Sequence, residues 1–510
     1  MSAPMPAPDG RVDGRLAPRR MSERLSAEYR EEHRLLPLSR VGDRVVVAHA
    51  GTPDPQALAE LTGLFAAPLE LQELPEDELL AAVRDAYGDD EAATAAGLIA
   101  GLGDGADAGG AGADELVTHD LEELANQAPV IRLVNLLLAE ALAAGASDIH
   151  LEAAGQGLHV RYRIDGVLQE APSPPAHLRA AVVSRLKIMA ELDIAERRLP
   201  QDGRVRLRLE GREVDVRVST LPTLHGESVV LRLLESGGRR VQLEELGTAS
   251  DTRAALARFV ERPHGVLLVT GPTGSGKTTT LYALAERLRT GREKIVSVED
   301  PVEYELPGVA QVPVHAKAGL TFARALRSIL RQDPDVLLVG EMRDAETADI
   351  CTQAALTGHL VLSTLHTNDA PSALVRLLDL QVAEYLVAST VEVVLAQRLV
   401  RRVCADCAEW TPVGEAAARE LGPDGLGIDT VRRGRGCARC RGTGYRGRTG
   451  IYELLVVDDA VRATFLRTRE AGALRRLAVE RGMRTLRADG CRQVAAGVTT
   501  PEEVLRVTQG

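Results

Sequence analysis

The sequence predicts an α/β core, preceded by a smaller α+β domain and followed by a cysteine-rich subdomain and a helical C-terminus. Three observations carry that prediction. The apolar run Val266-Leu267-Leu268-Val269 leads into the glycine-rich loop Gly271-Pro272-Thr273-Gly274-Ser275-Gly276-Lys277-Thr278, and a helical run, Thr279 to Arg289, follows it. Further apolar strands recur downstream and end in carboxylates or deliver a histidine. Two Cys-x-x-Cys pairs come after the last of them.

Strand, glycine-rich loop and helix together make a cradle for a nucleoside triphosphate. Loop glycines let successive backbone N–H groups turn inward onto phosphate oxygens, and the helix N-terminus adds partial positive charge at the same point. The predicted nucleotide contacts are Gly271, Pro272, Thr273, Gly274, Ser275, Gly276, Lys277, Thr278 and Thr279, with Lys277 on the β- and γ-phosphates and the Thr278 hydroxyl on Mg²⁺. An accidental glycine-rich turn is the competing reading. Against it, Lys277 is one of four lysines (Lys187, Lys277, Lys294, Lys317) in a chain that otherwise uses arginine as its cation. A compact ammonium suits a phosphate cradle, and Arg's planar fork is no substitute.

At 510 residues the chain is too long for one hydrophobic core and predicts about three or four domains. Its formal net charge of −12 builds no general attraction to nucleic acid, so no nucleic-acid partner is expected. No apolar stretch approaches the roughly 18–20 uncharged residues that cross a bilayer. The best, Val130 to Ala144, carries Arg132 and Glu140, with Ile131, Val134, Leu138 and Leu142 at helical spacing, and reads as an amphipathic packing helix. The first residues, 1–21, lack the apolar core of a secretory signal and read as a disordered arm, with Met21 an alternative start. A cytoplasmic location follows, where the six cysteines stay reduced.

Residues 1–87 read as a small docking domain. Arg44-Val45-Val46-Val47-Ala48 is a strand, Asp54 to Phe65 a helix opened by Asp54 and Pro55, and Glu76 to Tyr87 a second helix opened by Pro75. Residues 88–118, rich in Ala, Gly and Asp, cannot repay the entropy of ordering and read as a flexible linker. A second α+β domain covers 119–242. Its strand 158–167 turns at Asp165-Gly166 as a hairpin does, Ala180 to Leu192 is helical, and Arg204, Arg206 and Arg208 alternate along one strand face.

The nucleotide domain covers 243–402. Its second strand, Lys294-Ile295-Val296-Ser297-Val298, ends in Glu299 and Asp300, carboxylates at the sheet edge where Mg²⁺ and attacking water are handled. A third strand, Asp335 to Glu341, places Gly340 where an aspartate often holds the metal. Glu341 is left as the residue that orients or deprotonates the hydrolytic water. The alternative is that Glu341 caps the helix of Arg343 to Leu356. A fourth strand, His359 to Thr364, delivers His366 to the same edge as a sensor of the γ-phosphate, while His359 reads as structural.

Cys404, Cys407, Cys437 and Cys440 form two Cys-x-x-Cys knuckles in a subdomain of residues 403–450, with room between them for a small helix, Gly414 to Leu421. The pattern predicts a four-thiolate Zn²⁺ site, and a redox dithiol is the competing reading. Residues 451–510 read as a helical C-terminal subdomain.

Taken with Val298-Glu299-Asp300-Pro301-Val302-Glu303-Tyr304, Leu330-Arg331-Gln332-Asp333-Pro334-Asp335, Gly340-Glu341-Met342-Arg343-Asp344, Thr357-Gly358-His359 and His366-Thr367-Asn368-Asp369, the loop and the cysteines resemble the type II/type IV secretion ATPase superfamily from about residue 125 onward. Assembly ATPases of type II secretion are the nearest branch, and Gly340 is itself a family trait. The resemblance implies a RecA-like P-loop NTPase core behind a PAS-like domain, with ATP, Mg²⁺ and Zn²⁺ as cofactors. It implies a homo-hexamer in which Arg217, Arg232, Arg327, Arg331 and Arg343 reach the nucleotide, with Glu341 the catalytic glutamate. It further implies that the first domain docks on inner-membrane platform proteins, giving peripheral membrane association, while hydrolysis drives pseudopilus assembly. A type IV pilus extension motor, a RecA-like nucleic-acid motor and a nucleotide switch without turnover are the alternatives.

Overall fold

The computed structural model describes residues 35–41, 44–65, 67–75, 94–102, 124–155, 157–209, 211–235, 240–414, 419–425 and 427–509, with a few single positions and a two-residue ladder earlier in the chain. Two compact units emerge. One comprises residues 1–162, 169–205 and 217–232, the other residues 163–168, 206–216 and 233–510.

In the first unit, β1 (Leu35–Val41) pairs antiparallel with β2 (Arg44–His49), and β3 (Leu69–Glu73) lies parallel to β2. Parallel neighbours need a crossover, which α1 (Pro55–Phe65) supplies. Leu35, Val45, Val47, Ala57, Leu61 and Phe65 form the core between them. The predicted helix Glu76 to Tyr87 falls almost wholly outside the described residues, as does the predicted N-terminal arm.

The linker reading of 88–118 is corrected for α2 (Ala95–Leu102), which is helical. Small residues alone would not order it, but the Ala95 N–H donates to Glu140 Oε1 at 2.7 Å. Glu140 belongs to α3 (Ala128–Ala143), the expected amphipathic helix, which buries Val130, Leu133, Val134, Leu137, Leu138, Ala141 and Leu142. The other positions of that linker lie outside the described residues.

Six strands follow: β4 (Ala146–Ala154), β5 (Gly157–Ile164), β6 (Val167–Glu170), β7 (Gln201–Leu209), β8 (Arg212–Thr223) and β9 (Gly226–Glu235). They form one sheet in the order β6-β5-β4-β9-β8-β7, with α4 (Arg179–Met189) between β6 and β7 in sequence. Lys187, 1% exposed, reaches Glu227 at 2.6 Å and the Glu196 carbonyl at 2.7 Å, so this buried ammonium is both paired and hydrogen-bonded.

The second unit is built on seven strands. Helix α5 (Ser250–Val260) precedes β10 (Gly265–Thr270), α6 (Lys277–Leu288), β11 (Ile295–Glu299), β12 (Ala310–Pro313), α7 (Phe322–Ile329), β13 (Val336–Val339), α8 (Ala345–Leu356), β14 (Leu360–Leu365), α9 (Ala370–Asp379), α10 (Glu384–Thr390) and β15 (Val391–Val403). A ribbon, β16 (Ala408–Pro412) and β17 (Thr430–Gly434), then precedes β18 (Tyr445–Val456). The sheet order is β12-β11-β13-β14-β10-β15-β18. All neighbours are parallel except β15 and β18, which are antiparallel. Strands β10, β11, β13 and β14 are buried along their whole length, as a sheet covered on both faces requires.

Strand β18 corrects the boundary at residue 450. Residues 451–456 are not part of a helical subdomain but complete the core sheet, so the cysteine-rich stretch is an insertion between two paired strands. Ile451, Tyr452 and Leu455 are buried there, which fixes the strand. Buried Glu453 accepts from the Ala370 N–H at 2.9 Å and the Leu486 N–H at 3.3 Å, serving two helix N-termini at once. Burial raises its pKa. The rest of the tail is helical as expected, in α11 (Asp459–Thr468), α12 (Ala471–Glu480), α13 (Leu486–Ala495) and α14 (Pro501–Thr508). Of the predicted helix Gly414 to Leu421, residues 415–418 lie outside the described residues, and 419–421 are helical.

Candidate functional site

Register brings the predicted site together. Val298 lies opposite Val339, Val339 opposite Ser363, and Thr270 opposite both Leu365 and Ala396. The carboxyl ends of β11, β13, β14 and β10 therefore share one edge, and each hands its next residues to the same region, while β15 passes that edge at its middle, around Ala396.

The phosphate loop leaves β10 at that edge. Gly271 has φ +152°, and a Cβ there would stand 2.5 Å from the Gln397 carbonyl oxygen. Gly276 has φ +86°, and its Cβ would stand 2.8 Å from Gln397 Nε2, so neither position tolerates a side chain. Gly276 is also the N-cap of α6, where it offers no side chain to the first N–H groups. Those groups can receive an anion. Ser275 Oγ is buried with no partner among the described residues, a hydroxyl that a phosphate oxygen would satisfy. Lys277 Nζ donates to the carbonyls of Gly271 at 2.9 Å and Pro272 at 3.0 Å, within its own loop. Burial brings its pKa down to about 8, with Glu341 pulling upward and Arg398 downward. Thr278 and Thr279, on the first turn of α6, are half-buried.

Beyond β13, Gly340 packs against the end of β11. A Cβ there would stand 3.4 Å from the Val298 carbonyl and 3.5 Å from Glu299 Cα, ordinary van der Waals distances, so packing at this position does not by itself demand glycine. Thr364 Oγ1 donates to the Gly340 carbonyl at 2.7 Å and the Met342 N–H donates to the Thr364 carbonyl at 3.0 Å, which fixes the turn carrying Glu341. The Glu341 carboxylate stands 2.7 Å from Arg343 Nη2 and 3.4 Å from His366 Nε2. Its alternative role as a helix cap is removed, because Asp344 caps α8 by accepting from the Thr347 N–H at 2.8 Å. His359 Nδ1 lies 2.9 Å from the Ala354 carbonyl, in keeping with a structural role.

Glu299 departs from the expectation of a residue facing metal and water. It is 2% exposed and accepts from Ser297 Oγ at 2.6 Å, from Gln311 Nε2 at 3.2 Å and from the Tyr282 hydroxyl. Its oxygens are thus committed to a buried network, and burial and then the Glu299 charge push the Tyr282 phenol pKa far up. Asp300, the next residue, is exposed and adds to the field that raises the Arg343 pKa, after the Glu341 hydrogen bond.

The predicted arginines divide. Arg343 is at the site. Arg327 pairs with Glu346, and Arg331 Nη1 returns to the Arg327 carbonyl at 2.7 Å, so neither guanidinium is turned to the loop. Arg217 and Arg232 belong to the first unit. There Arg232 Nε donates to Asp148 Oδ1 at 2.8 Å, and Arg217 is half-buried on β8.

Two residues of the site escape sequence reasoning. Gln397 accepts from Thr280 Oγ1 at 2.7 Å beneath the phosphate loop, and Arg398 Nη2 donates to the Asn368 carbonyl at 2.9 Å. The usable signal was a Gln-Arg pair interrupting the apolar run Val393 to Val400 of β15, Val391–Val403.

The four cysteines converge. Their sulfurs all lie within 4.8 Å of one another, with Cys404–Cys437 at 3.9 Å, Cys407–Cys440 at 3.8 Å and Cys437–Cys440 at 3.7 Å. A tetrahedron with Zn–S bonds of about 2.3 Å has edges of about 3.8 Å, so the donor set fits such an ion. Burial opposes ionisation of Cys440, but the N–H groups of Cys437 and Gly444 and the neighbouring thiols bring its pKa to about 6.

Residues 123–506 match the family described as type II/IV secretion system protein, and residues 11–93 match the MshEN domain. The chain is 50% identical over 453 residues to a protein of Pseudomonas aeruginosa named type II secretion system protein E, covering 89% of this chain and 90% of that one. It is 49% identical over 402 residues to the type II secretion system ATPase E of Vibrio cholerae, covering 78% and 79%. Among solved structures, the ATPase DotB of Legionella pneumophila aligns with a TM-score of 0.56 at 20% identity, over 74% of this chain and 95% of that one, a likeness of fold.

Proposed function

The chain belongs to the type II/IV secretion system protein family, and on that premise we propose how its ATPase serves type II secretion. ATP hydrolysis on the second unit powers assembly of the pseudopilus and export across the outer membrane. The observation that carries this reading is the meeting of the phosphate loop, Glu341 and His366 at neighbouring ends of parallel strands in one sheet.

The loop amides, Lys277 and the Ser275 hydroxyl hold the β- and γ-phosphates. Thr278 is the side chain placed to hold Mg²⁺, which when bound neutralises phosphate charge. Glu341 orients a water in line with the γ-phosphorus and takes its proton. A bond forms from the water oxygen to phosphorus, the bond to the β–γ bridging oxygen breaks, and ADP and phosphate leave. His366 reads the γ-phosphate beside Glu341. Asp300, exposed at the same edge, tunes Arg343, whereas Glu299 sets the position of α6 through Tyr282.

Arg217 and Arg232 from the first unit, and Arg327 and Arg331, exposed on the second, serve as cations contributed across a homo-hexameric ring, where their arrival couples hydrolysis to motion. The four cysteines hold one structural Zn²⁺. The first domain docks on inner-membrane platform proteins and keeps the cytoplasmic enzyme at the membrane face. No helix of the described residues is long and apolar enough to cross a membrane, so attachment through a partner suits the chain.

ATPase rates of the wild type and Glu341→Gln, with and without single-stranded DNA, test the reading. Loss of turnover in the variant and indifference to DNA are expected. Stimulation by DNA would sink the secretion assignment, and an unimpaired variant would remove Glu341 as the base. Binding of residues 1–110 to inner-membrane secretion proteins, against pilus proteins, tests the partner.

A further inference from the structure

Strand β15 runs beside β10 with Ala396 opposite Thr270, so Arg398 lies next to the first residue of the phosphate loop. Its side chain is almost wholly buried, and a Cβ on Gly271 would stand 3.2 Å from its Nη1. The guanidinium bonds neutral oxygens. Nη1 donates to the Gln397 carbonyl at 3.1 Å, and Nη2 to the Asn368 carbonyl at 2.9 Å and to Asn368 Oδ1 at 3.3 Å. A cation withdrawn from water against neutral acceptors is costly to keep, and burial pulls its pKa down while Glu453 and Asp369 act against that.

What Arg398 grips is the loop carrying His366. A second tether lies one residue earlier, where the Thr367 N–H donates to Thr270 Oγ1 at 2.8 Å and the two hydroxyls stand 2.7 Å apart. Residue 367 is thus tied to the end of β10, and residue 368 to Arg398 on β15, whose guanidinium packs beside Gly271. His366, directly before them, is half-exposed and depends on that anchorage to stay 3.4 Å from Glu341.

We propose that Arg398 is a positioning residue for ATP hydrolysis, forking onto both oxygens of Asn368 beside Gly271 so that movement of the phosphate loop is passed to His366. It touches none of the reacting atoms. The proposal rests on the reading of Glu341 as the hydrolytic residue.

The test uses the full-length chain and separates binding from turnover, with the dissociation constant of a fluorescent ATP analogue measured beside kcat. For Arg398→Gln, kcat should fall about tenfold or more while the dissociation constant moves less than about threefold. Arg398→Lys, which keeps the charge but loses the fork, should recover part of kcat. Adding Arg398→Gln to His366→Ala should cost less than about twofold beyond His366→Ala alone, because both act through one step. A tenfold loss of affinity with kcat kept, or multiplying effects in the double variant, would overturn the proposal by making Arg398 a phosphate ligand or an independent group. Should Arg398→Gln fail to fold, Asn368→Ala decides, since Asn368 is exposed: reduced kcat with unchanged affinity supports the proposal and unchanged kcat defeats it. An active Glu341→Gln would strike the base assignment, while the Arg398–His366 coupling would still be read from the other variants.

Discussion

The Glu341 carboxylate lies 2.7 Å from the Arg343 guanidinium, so the residue proposed to act on water already sits in an ion pair. Arg343 is 68% exposed, and such a pair contributes about 0–1 kcal/mol to stability. Arg343→Ala should therefore leave the thermal midpoint nearly unchanged while altering kcat, because it frees a carboxylate that the ion pair restrains. Glu341→Gln should lower kcat by about a hundredfold or more and leave nucleotide binding intact. Steady-state kinetics beside a melting curve checks both.

Asp344 supplies the contrast. It caps α8 through the Thr347 N–H, and loss of such a cap costs about 1 kcal/mol. Asp344→Ala should lower the denaturant midpoint accordingly and keep most of the ATPase activity. If Asp344→Ala abolished turnover while Glu341→Gln spared it, the division of labour between these two carboxylates would be reversed.

Lys277 gives a pH dependence with a definite sign. Burial lowers its pKa from 10.5 to about 8. Between those values the unfolded chain binds a proton that the folded chain has lost, so this group makes stability rise with pH across that window. Nucleotide affinity runs the other way, because the phosphates need the ammonium. Above pH 8 the affinity of the wild type for ATP should fall up to about tenfold per pH unit, with proton uptake on binding. Lys277→Met should bind weakly and show no such slope, and calorimetry in buffers of different ionisation enthalpy would detect the proton.

How much of this was legible in the sequence follows from how local each feature is. The phosphate loop could be read because its glycines, lysine and threonine are contiguous, and the structure gives Gly271 and Gly276 a steric reason in Gln397. Glu341 and His366 could be read because each follows a short apolar strand. Glu299 could not be separated from Asp300 by the same rule. What turns it inward is Tyr282 from α6 and Gln311 from β12, partners that no strand-end pattern contains. Strand β18 was hidden because the cysteine-rich insertion parts it from β15, and α2 because its order depends on Glu140, far along the chain. Arg398 announced itself only as a charge where the strand pattern wanted an apolar residue.

The cysteine cluster gives the last prediction. Three of its sulfur–sulfur separations lie between 3.7 and 3.9 Å, the edge length of a closed tetrahedral thiolate site, and all four sulfurs converge within 4.8 Å, whereas a redox dithiol needs only one pair. Because β15 and β18 enclose the insertion, the metal would brace the turn between two strands of the core sheet. The purified chain should contain one Zn²⁺, and Cys404→Ser should lose it and lower the thermal midpoint. Chelation should do the same to the wild type and leave the variant unchanged. Cys351→Ser serves as the control, since that thiol is buried in the core away from the cluster. Stoichiometric Zn²⁺ retained by Cys404→Ser would rule out a four-thiolate site. Reversible loss of thiols on mild oxidation, with no metal in the reduced chain, would establish the dithiol instead.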